Sequence, residues 1–247
     1  MARTDFTTPR LFVAAPLATA ASVALTPEQT NYVVNVLRLP EGARALLFNG
    51  RDGEFEARIA SIARKGARLA IGDRLRAQET PPDVDFLFAP LKHARLDYVA
   101  QKAVEMGVRR LCPVITHRTQ VSRVNNERLR ANAQEAAEQC GVIWLAEILE
   151  ERPLARALAD WPRERTLVFC DEDAPEGNTI AALTGRAAPS AISLLIGPEG
   201  GFDEEERAMI LRTPDVVRFS LGPRILRADT AAVAALALIQ SHWGDWR

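Results

Sequence analysis

Apolar positions follow two different rhythms along this chain, and the change comes near residue 82. Before it, short segments have strand character: LFVA (11–14), ALLFN (45–49), GEFEARIASI (53–62) and ARLAIG (67–72). NGRDG and RKG lie between them and carry turn residues at hairpin-like spacing. One helical piece, TPEQTNYVVNVLRL, opens at Thr26. Thr26 can cap it, Pro27 suits the first helical position, and Gln29 stands where a capping box needs an amide. Short strands around one helix predict a small β-barrel-like domain over residues 1–72. Residues 73–82, DRLRAQETPP, are charged and end in two prolines, as a linker would.

From Asp83 to the end, apolar runs alternate with segments of helical period. VDFLFAP, RLCPVIT, TLVFC, ISLLI and VVRFSL read as buried strands. ARLDYVAQKAVEM and NNERLRANAQEAAEQC read as helices, stopped by Gly107 and Gly141. DEEERAMILR is a helix with Asp203 as cap and Glu206 three residues on. DTAAVAALALIQSHW is the last helix, with Asp229 or Thr230 as its cap. This alternation predicts an α/β domain over residues 83–247, with a mainly parallel sheet covered on both faces.

In such a sheet ligands bind beyond the carboxyl ends of the strands. Three strand ends carry chemistry: FCDEDAPEG after Phe169, GPEGG after Ile196, and LGPRILRADT after Ser220. GPEGG has neither the GxxxxGK[ST] pattern of a phosphate loop nor a GxGxxG dinucleotide fingerprint. Its glycines would let backbone approach a ligand with no Cβ in the way; a plain strand-to-helix turn is the alternative. Arg224 and Arg227 stand three apart before a helix start, an anion-attracting corner unless neighbouring acidic loops pair with them. The helix that follows is Ala-rich and apolar around most of its circumference, so it is buried within the chain or against a second subunit.

Charge and cysteine content narrow the class. The formal net charge of −1 hides an asymmetry: 20 basic against 13 acidic residues in 1–130, then 11 against 19. The basic half suits a polyanion. Lys92, Arg95, Lys102, Arg109, Arg110, Arg118 and Arg123 form a basic run suited to phosphate contact. Cys112, Cys140 and Cys170 are isolated, which fits a reducing compartment and argues against a zinc site. His93, His117 and His242 do not cluster and read as structural or surface residues. Residues 1–13 lack a signal-peptide core, and the longest apolar run, 231–239, is far shorter than a membrane span. The expectation is a cytoplasmic protein with no membrane partner and no metal.

IGPEGGF followed by LGPRILRADTAA resembles the C-terminal signature of the SPOUT superfamily of RNA methyltransferases. PRLFV (9–13), NVLRLPEGARALLFNG (35–50), DYVAQKAVEMGV (97–108) and AEQCG (137–141) extend the resemblance, in order, to the RsmE family. That family methylates N3 of a uridine in 16S ribosomal RNA. The resemblance implies a PUA-like β-barrel for RNA, then a SPOUT-type α/β domain whose C-terminal segment is threaded as a trefoil knot. It implies S-adenosylmethionine as cofactor, S-adenosylhomocysteine as product, a homodimer, and 16S RNA as partner, in an assembled small subunit. Cofactor contacts are expected at Phe169, Ile196, Gly197, Pro198, Gly200, Gly201, Leu221, Gly222, Ile225 and Leu226. Arg10, Arg38 and Arg118 are expected at the RNA. The chain departs from the family pattern at Val142, where Arg is usual, at NYVVNVLR, where paired histidines are common, and at RADT, where a Thr-Glu-Thr tract is common.

Methyl transfer to a uracil nitrogen needs in-line placement and loss of the imide proton. Arg227 and Arg224 are the expected stabilisers of charge developing on the ring. The proton acceptor is Glu199, Asp229 or water. The other readings are a non-catalytic RNA-binding assembly module, a knotted enzyme acting on a different nucleotide, and a small-molecule methyltransferase.

Overall fold

The computed structural model describes residues 7–246 except 65, 93, 122, 160 and 175–177. It divides into two compact units, Met1–Thr80 with Gln134–Leu145, and Pro81–Ala133 with Ala146–Arg247. The expectations for residues 1–6, for Lys65 in the RKG turn, for His93, and for the end of the DEDAPEG loop lie outside the described residues.

In the first unit, β1 (Arg10–Phe12), β2 (Ser22–Ala24), β3 (Arg44–Phe48), β4 (Glu54–Ala63) and β5 (Gly66–Arg76) form one sheet in the order β1-β3-β4-β5-β2. β1 runs parallel to β3 and the other pairs are antiparallel. Alternation in β4 and β5 sends Phe55, Ala57, Ile59, Ala67, Leu69 and Ile71 inward, where they pack with Leu11, Val23 and Val33. β5 runs through Arg76, so its last residues occupy the start of the expected linker.

The helix at Thr26 forms with its complete capping box, as α1 (Pro27–Asn31). It does not continue as one α-helix. Residues Tyr32–Val36 make a wider π turn, closed by Leu37 N–H donating to the Tyr32 carbonyl at 2.9 Å. Three valines in five positions crowd an α-helical turn, and the widened turn buries Val33 completely while leaving Val36 61% exposed.

The second unit holds β6 (Val84–Phe88), α2 (Ala94–Glu105), β7 (Arg110–Ile115), α3 (Asn126–Cys140), β8 (Glu147–Ile148), β9 (Arg152–Pro153), α4 (Leu154–Ala159), β10 (Arg165–Cys170), α5 (Asn178–Thr184), β11 (Ala191–Ile196), α6 (Glu204–Leu211), β12 (Val216–Phe219) and α7 (Ala228–His242). The last turns of α3, from Gln134, group with the first unit. The sheet order is β12-β10-β11-β6-β7-β8, parallel throughout, with β9 pairing β7. β6 and β11 are buried at every position, as strands covered on both faces must be. Gly107, at φ +76°, ends α2: its N–H donates to Val104 and that of Val108 to Ala103, a Schellman closure that an L side chain would strain.

From β6 the chain moves outward through β7 and β8, then returns to build β10, β11 and β12 on the other side. The reversal lies between β6 and β11, and GPEGG leaves the carboxyl end of β11 at that place. Among the described residues, no helix is long and apolar enough to cross a membrane.

Candidate active site

Three loops leave the same carboxyl edge of adjacent parallel strands: 171–174 after β10, 197–203 after β11 and 220–227 after β12. The sheet therefore brings together the three segments that the sequence marks.

The GPEGG loop is tightly made. Gly201 N–H donates to the Pro198 carbonyl at 2.9 Å, and Gly201 sits at φ +67°. A Cβ there would lie 2.8 Å from Glu172 Oε1, and one on Gly197 would lie 2.8 Å from the ring of Phe202. Packing against the Phe202 ring demands glycine at 197, and the left-handed backbone favours it at 201. Phe202 meets Phe169 edge to face, with centroids 5.5 Å apart. Phe169 is 1% exposed, so its ring supports the loop from beneath. Ile196 and Pro198 are buried too.

Arg118 Nη1 donates to the Gly200 carbonyl at 2.7 Å. His117 Nδ1 lies 2.5 Å from Asp203 Oδ2, and its backbone N–H donates to Glu206 Oε1 at 2.8 Å. Asp203 and Glu206 also form the reciprocal capping box of α6. The hydrogen bond to Asp203 and the charges of Asp203 and Glu206 raise the His117 pKa, while backbone and His117 hydrogen bonds lower that of Asp203. Ligand atoms of His117, Asp203 and Glu206 lie within 4.8 Å of one another, a spacing a cation could use. Their carboxylate oxygens are already engaged by N–H donors of the cap and of His117.

Asp171, 3% exposed, organises the first loop. It accepts from Arg207 at 3.0 and 3.2 Å and from Arg218 at 2.6 Å. Burial works against its charge, but the Arg207 and Arg218 hydrogen bonds outweigh it and hold the carboxyl below its usual range. Sequence reasoning missed this residue; an acid one position beyond a buried strand, with arginines on α6 and β12, is its only signature. Burial pushes the Cys170 thiol up, and that of Cys112 to about 12, so neither is a nucleophile at neutral pH.

The third loop is open. Among the described residues, residues 221–226 make no hydrogen bond within the protein. Gly222, at φ +96°, has nothing within 4 Å of the place a Cβ would take. Arg224 and Arg227 are exposed and unpaired, and Ile225 is completely exposed; Leu221 and Leu226 are half-buried. Arg227 occupies the N-cap of α7 without a side-chain cap bond. Asp229 instead accepts from the Thr230 N–H one residue on, so neither expected residue caps the helix. Free peptide groups on an open loop are available to hydrogen-bond the edge of a ligand.

Glu199 faces Arg95 at 3.4 Å. The basic run is largely paired: Arg109 with Asp83, Arg110 with Asp85, Lys102 with Glu105, and Arg118 with the Gly200 carbonyl. Among the described residues only Lys92 and Arg123 of that run lack a salt bridge or side-chain hydrogen bond. In the first unit Arg10 is buried and donates to Glu54, to the carbonyls of Ala137 and Glu138, and to that of Val142. It is an internal clamp, which corrects its expected place at RNA. Because the Val142 carbonyl is what Arg10 uses, Val in place of Arg leaves this bond intact. Arg38 is exposed, unpaired and at φ +54°.

A family model described as the RNA methyltransferase domain matches residues 78–240, and the RNA methyltransferase PUA domain matches residues 25–76. A ribosomal RNA small subunit methyltransferase E from Rickettsia conorii is 30% identical over 94% of this chain and 96% of its own. That of Bacillus subtilis is 30% identical over 89% and 90%. The structure of the Neisseria gonorrhoeae enzyme of the same name, bound to S-adenosyl methionine, superposes with a TM-score of 0.86 at 28% identity, over 97% of this chain and all of that one. With both domain models matched in sequence order and relatives similar over nearly their whole length, the chain belongs to the ribosomal RNA small subunit methyltransferase E family.

Proposed function

We propose that this protein is an S-adenosylmethionine-dependent methyltransferase that methylates N3 of a uridine in 16S ribosomal RNA. The observation that carries this reading is the convergence of GPEGG and the hydrogen-bond-free LGPRIL loop on one sheet edge, in a chain of this family. The backbone of Ile196, Gly197, Gly200 and Gly201 holds the cofactor from one side, and that of Leu221, Gly222, Ile225 and Leu226 from the other. When bound, the cofactor supplies an electrophilic methyl group on sulfonium.

The chain's own residues orient the uracil and manage its charge. Arg224 and Arg227 are free to donate to the uracil carbonyls, where negative charge grows as the imide proton leaves. Of the two candidate carboxylates, Asp229 is turned into the first turn of α7. Glu199, on the glycine loop and 40% exposed at its side chain, is therefore assigned as proton acceptor. Arg38 contacts the RNA backbone from the first unit, which closes as a PUA-like barrel. The C-terminal segment is threaded as a trefoil knot; the non-sequential strand order on the β12 side of the sheet supports this. Val233, Ala234, Ala237 and Leu238 leave a half-exposed apolar stripe on α7, which supports a homodimer. The substrate is the RNA within an assembled small subunit, and the enzyme works in the cytoplasm.

Nucleoside mass mapping of 16S RNA from cells lacking the gene tests the reading, with methyl transfer by the purified protein onto subunits from those cells. Loss of one N3-methyluridine, restored by wild type and reduced at least a hundredfold in rate by Arg227→Ala or Glu199→Gln, is expected. Unchanged methyluridine would refute the target, and near-wild-type rates for both variants would refute the roles.

A further inference from the structure

We propose that the turn formed by residues 116–119 is a strap that sets the GPEGG loop for the cofactor, with Arg118 its positioning residue. This rests on the reading of GPEGG as a cofactor loop. The turn is built before it reaches the loop: Thr116 N–H donates to Thr119 Oγ1 at 2.9 Å, the two hydroxyls are 2.8 Å apart, and Thr119 N–H returns to the Thr116 carbonyl at 3.1 Å. It follows directly on β7, whose backbone is fixed in the sheet by β6. A closed turn at the end of a buried strand holds its two central side chains in defined directions.

Both of those side chains meet the far side of the glycine loop. Arg118 holds the Gly200 carbonyl at 2.7 Å, with its Cδ 3.4 Å from the position of a Gly200 Cβ. His117 holds Asp203 and, through its backbone, Glu206, the two residues that cap α6. Arg118 and His117 therefore brace the loop at Gly200 and again at the start of the helix after it. Between these braces Gly201 holds a left-handed conformation, one of many open to glycine, so its surroundings must select it. An arginine that sequence reading places at RNA thus acts, in the fold, on the peptide whose orientation the cofactor senses.

Two roles for Arg118 make opposite demands. A phosphate contact acts on RNA affinity and its salt dependence; a loop brace acts on the cofactor alone. Calorimetric titration of the full-length protein with S-adenosylmethionine, RNA binding across a salt series, and steady-state kinetics in both substrates separate them. Arg118→Gln is expected to raise the Kd and KM for S-adenosylmethionine about tenfold, the scale of one lost charge-assisted hydrogen bond. The KM and salt slope for RNA stay unchanged. Arg118→Lys keeps a donor and the charge and is expected within about threefold of wild type. Gly201→Ala, which disturbs the same loop without touching the strap, weakens cofactor binding as well. If Arg118→Gln leaves cofactor affinity intact while Gly201→Ala reduces it, the strap is refuted and the cofactor loop stands. A salt slope for RNA lower by about one, with cofactor affinity intact, makes Arg118 a phosphate contact and also overturns the proposal. If neither variant changes cofactor affinity, the cofactor reading of GPEGG fails, and the strap with it.

Discussion

Replacing Arg10 by Met keeps an aliphatic stem and removes the guanidinium. In the folded protein that group is 3% exposed and lies 2.8 Å from Glu54, which is 4% exposed. Its remaining donors hold the carbonyls of Ala137 at 2.6 Å, Glu138 at 3.1 Å and Val142 at 3.0 Å, and its Cζ lies 4.9 Å from the ring centroid of Phe48. Ala137 and Glu138 are in the last turn of α3, whose carbonyls have no helical partner of their own. Removing the guanidinium leaves a buried carboxylate that, among the described residues, only Arg76 approaches, at 3.6 Å, and strips three carbonyls of a donor. Losing one member of a buried pair costs about 3–5 kcal/mol. Partial relief from Arg76 puts the expected cost near the lower figure, roughly 3 kcal/mol. Hydrogen exchange resolved along the chain is the suitable assay, because a chain of two units does not promise one unfolding transition. Protection should fall in β1, β3 and residues 134–145 and remain elsewhere. Adding Glu54→Gln should recover about half of the loss by removing the stranded charge. If Arg10→Met keeps wild-type protection but lowers the salt slope of RNA binding by about one, the clamp is wrong and Arg10 belongs at RNA after all.

Other expectations follow from the same geometry. Arg38→Ala should weaken RNA binding and reduce its salt slope by about one without changing cofactor affinity, as filter binding can show; Arg38→Gly would relieve the φ +54° backbone while losing the contact, so a gain in melting temperature with a loss in binding is predicted. Asp171→Asn should cost about 2 kcal/mol in denaturant titration, since Arg207 and Arg218 are each about one-third exposed and can turn to water. In wild type the contribution of Asp171 is fully present above the unfolded carboxyl value and lost as pH falls through its lowered folded value, so the variant should show a shallower acid limb. His117 has the opposite sign: its raised pKa makes its contribution complete below the unfolded imidazole value, and that contribution is lost as pH rises through the folded one. A pH series of melting temperatures that is the same for wild type and His117→Gln would refute this.

Much of the fold could be read from local chemistry because local chemistry decides it. The Thr26 and Asp203 capping boxes, the glycine stops at 107 and 141, and the fully buried strands around Ile192 and Phe86 each formed where hydrogen-bonding groups and period demanded. The π turn at Tyr32–Val36 was not legible, because the burial of Val33 against strands distant in sequence selects it over an α-helical turn. Grouping of Gln134–Leu145 with the first unit was hidden for the same reason: Arg10, 127 positions before Ala137, makes the connection.

Charge was the least readable property, and the reason is physical. Counting arginines weighs each equally, yet a carboxylate or carbonyl within the fold that engages a guanidinium competes with RNA for it. Arg10, Arg110 and Arg118 each find such partners through strand pairing or turn geometry that composition does not encode. Among the described residues Arg38, Arg224 and Arg227 find none, and all three stand outside the strands and helices. In a sheet protein the strand arginines are drawn into bonds with neighbouring strands, as Arg110 and Arg165 are with Asp85. The basic excess of the first 130 residues therefore locates a polyanion poorly, because it counts engaged and unengaged guanidinium groups alike.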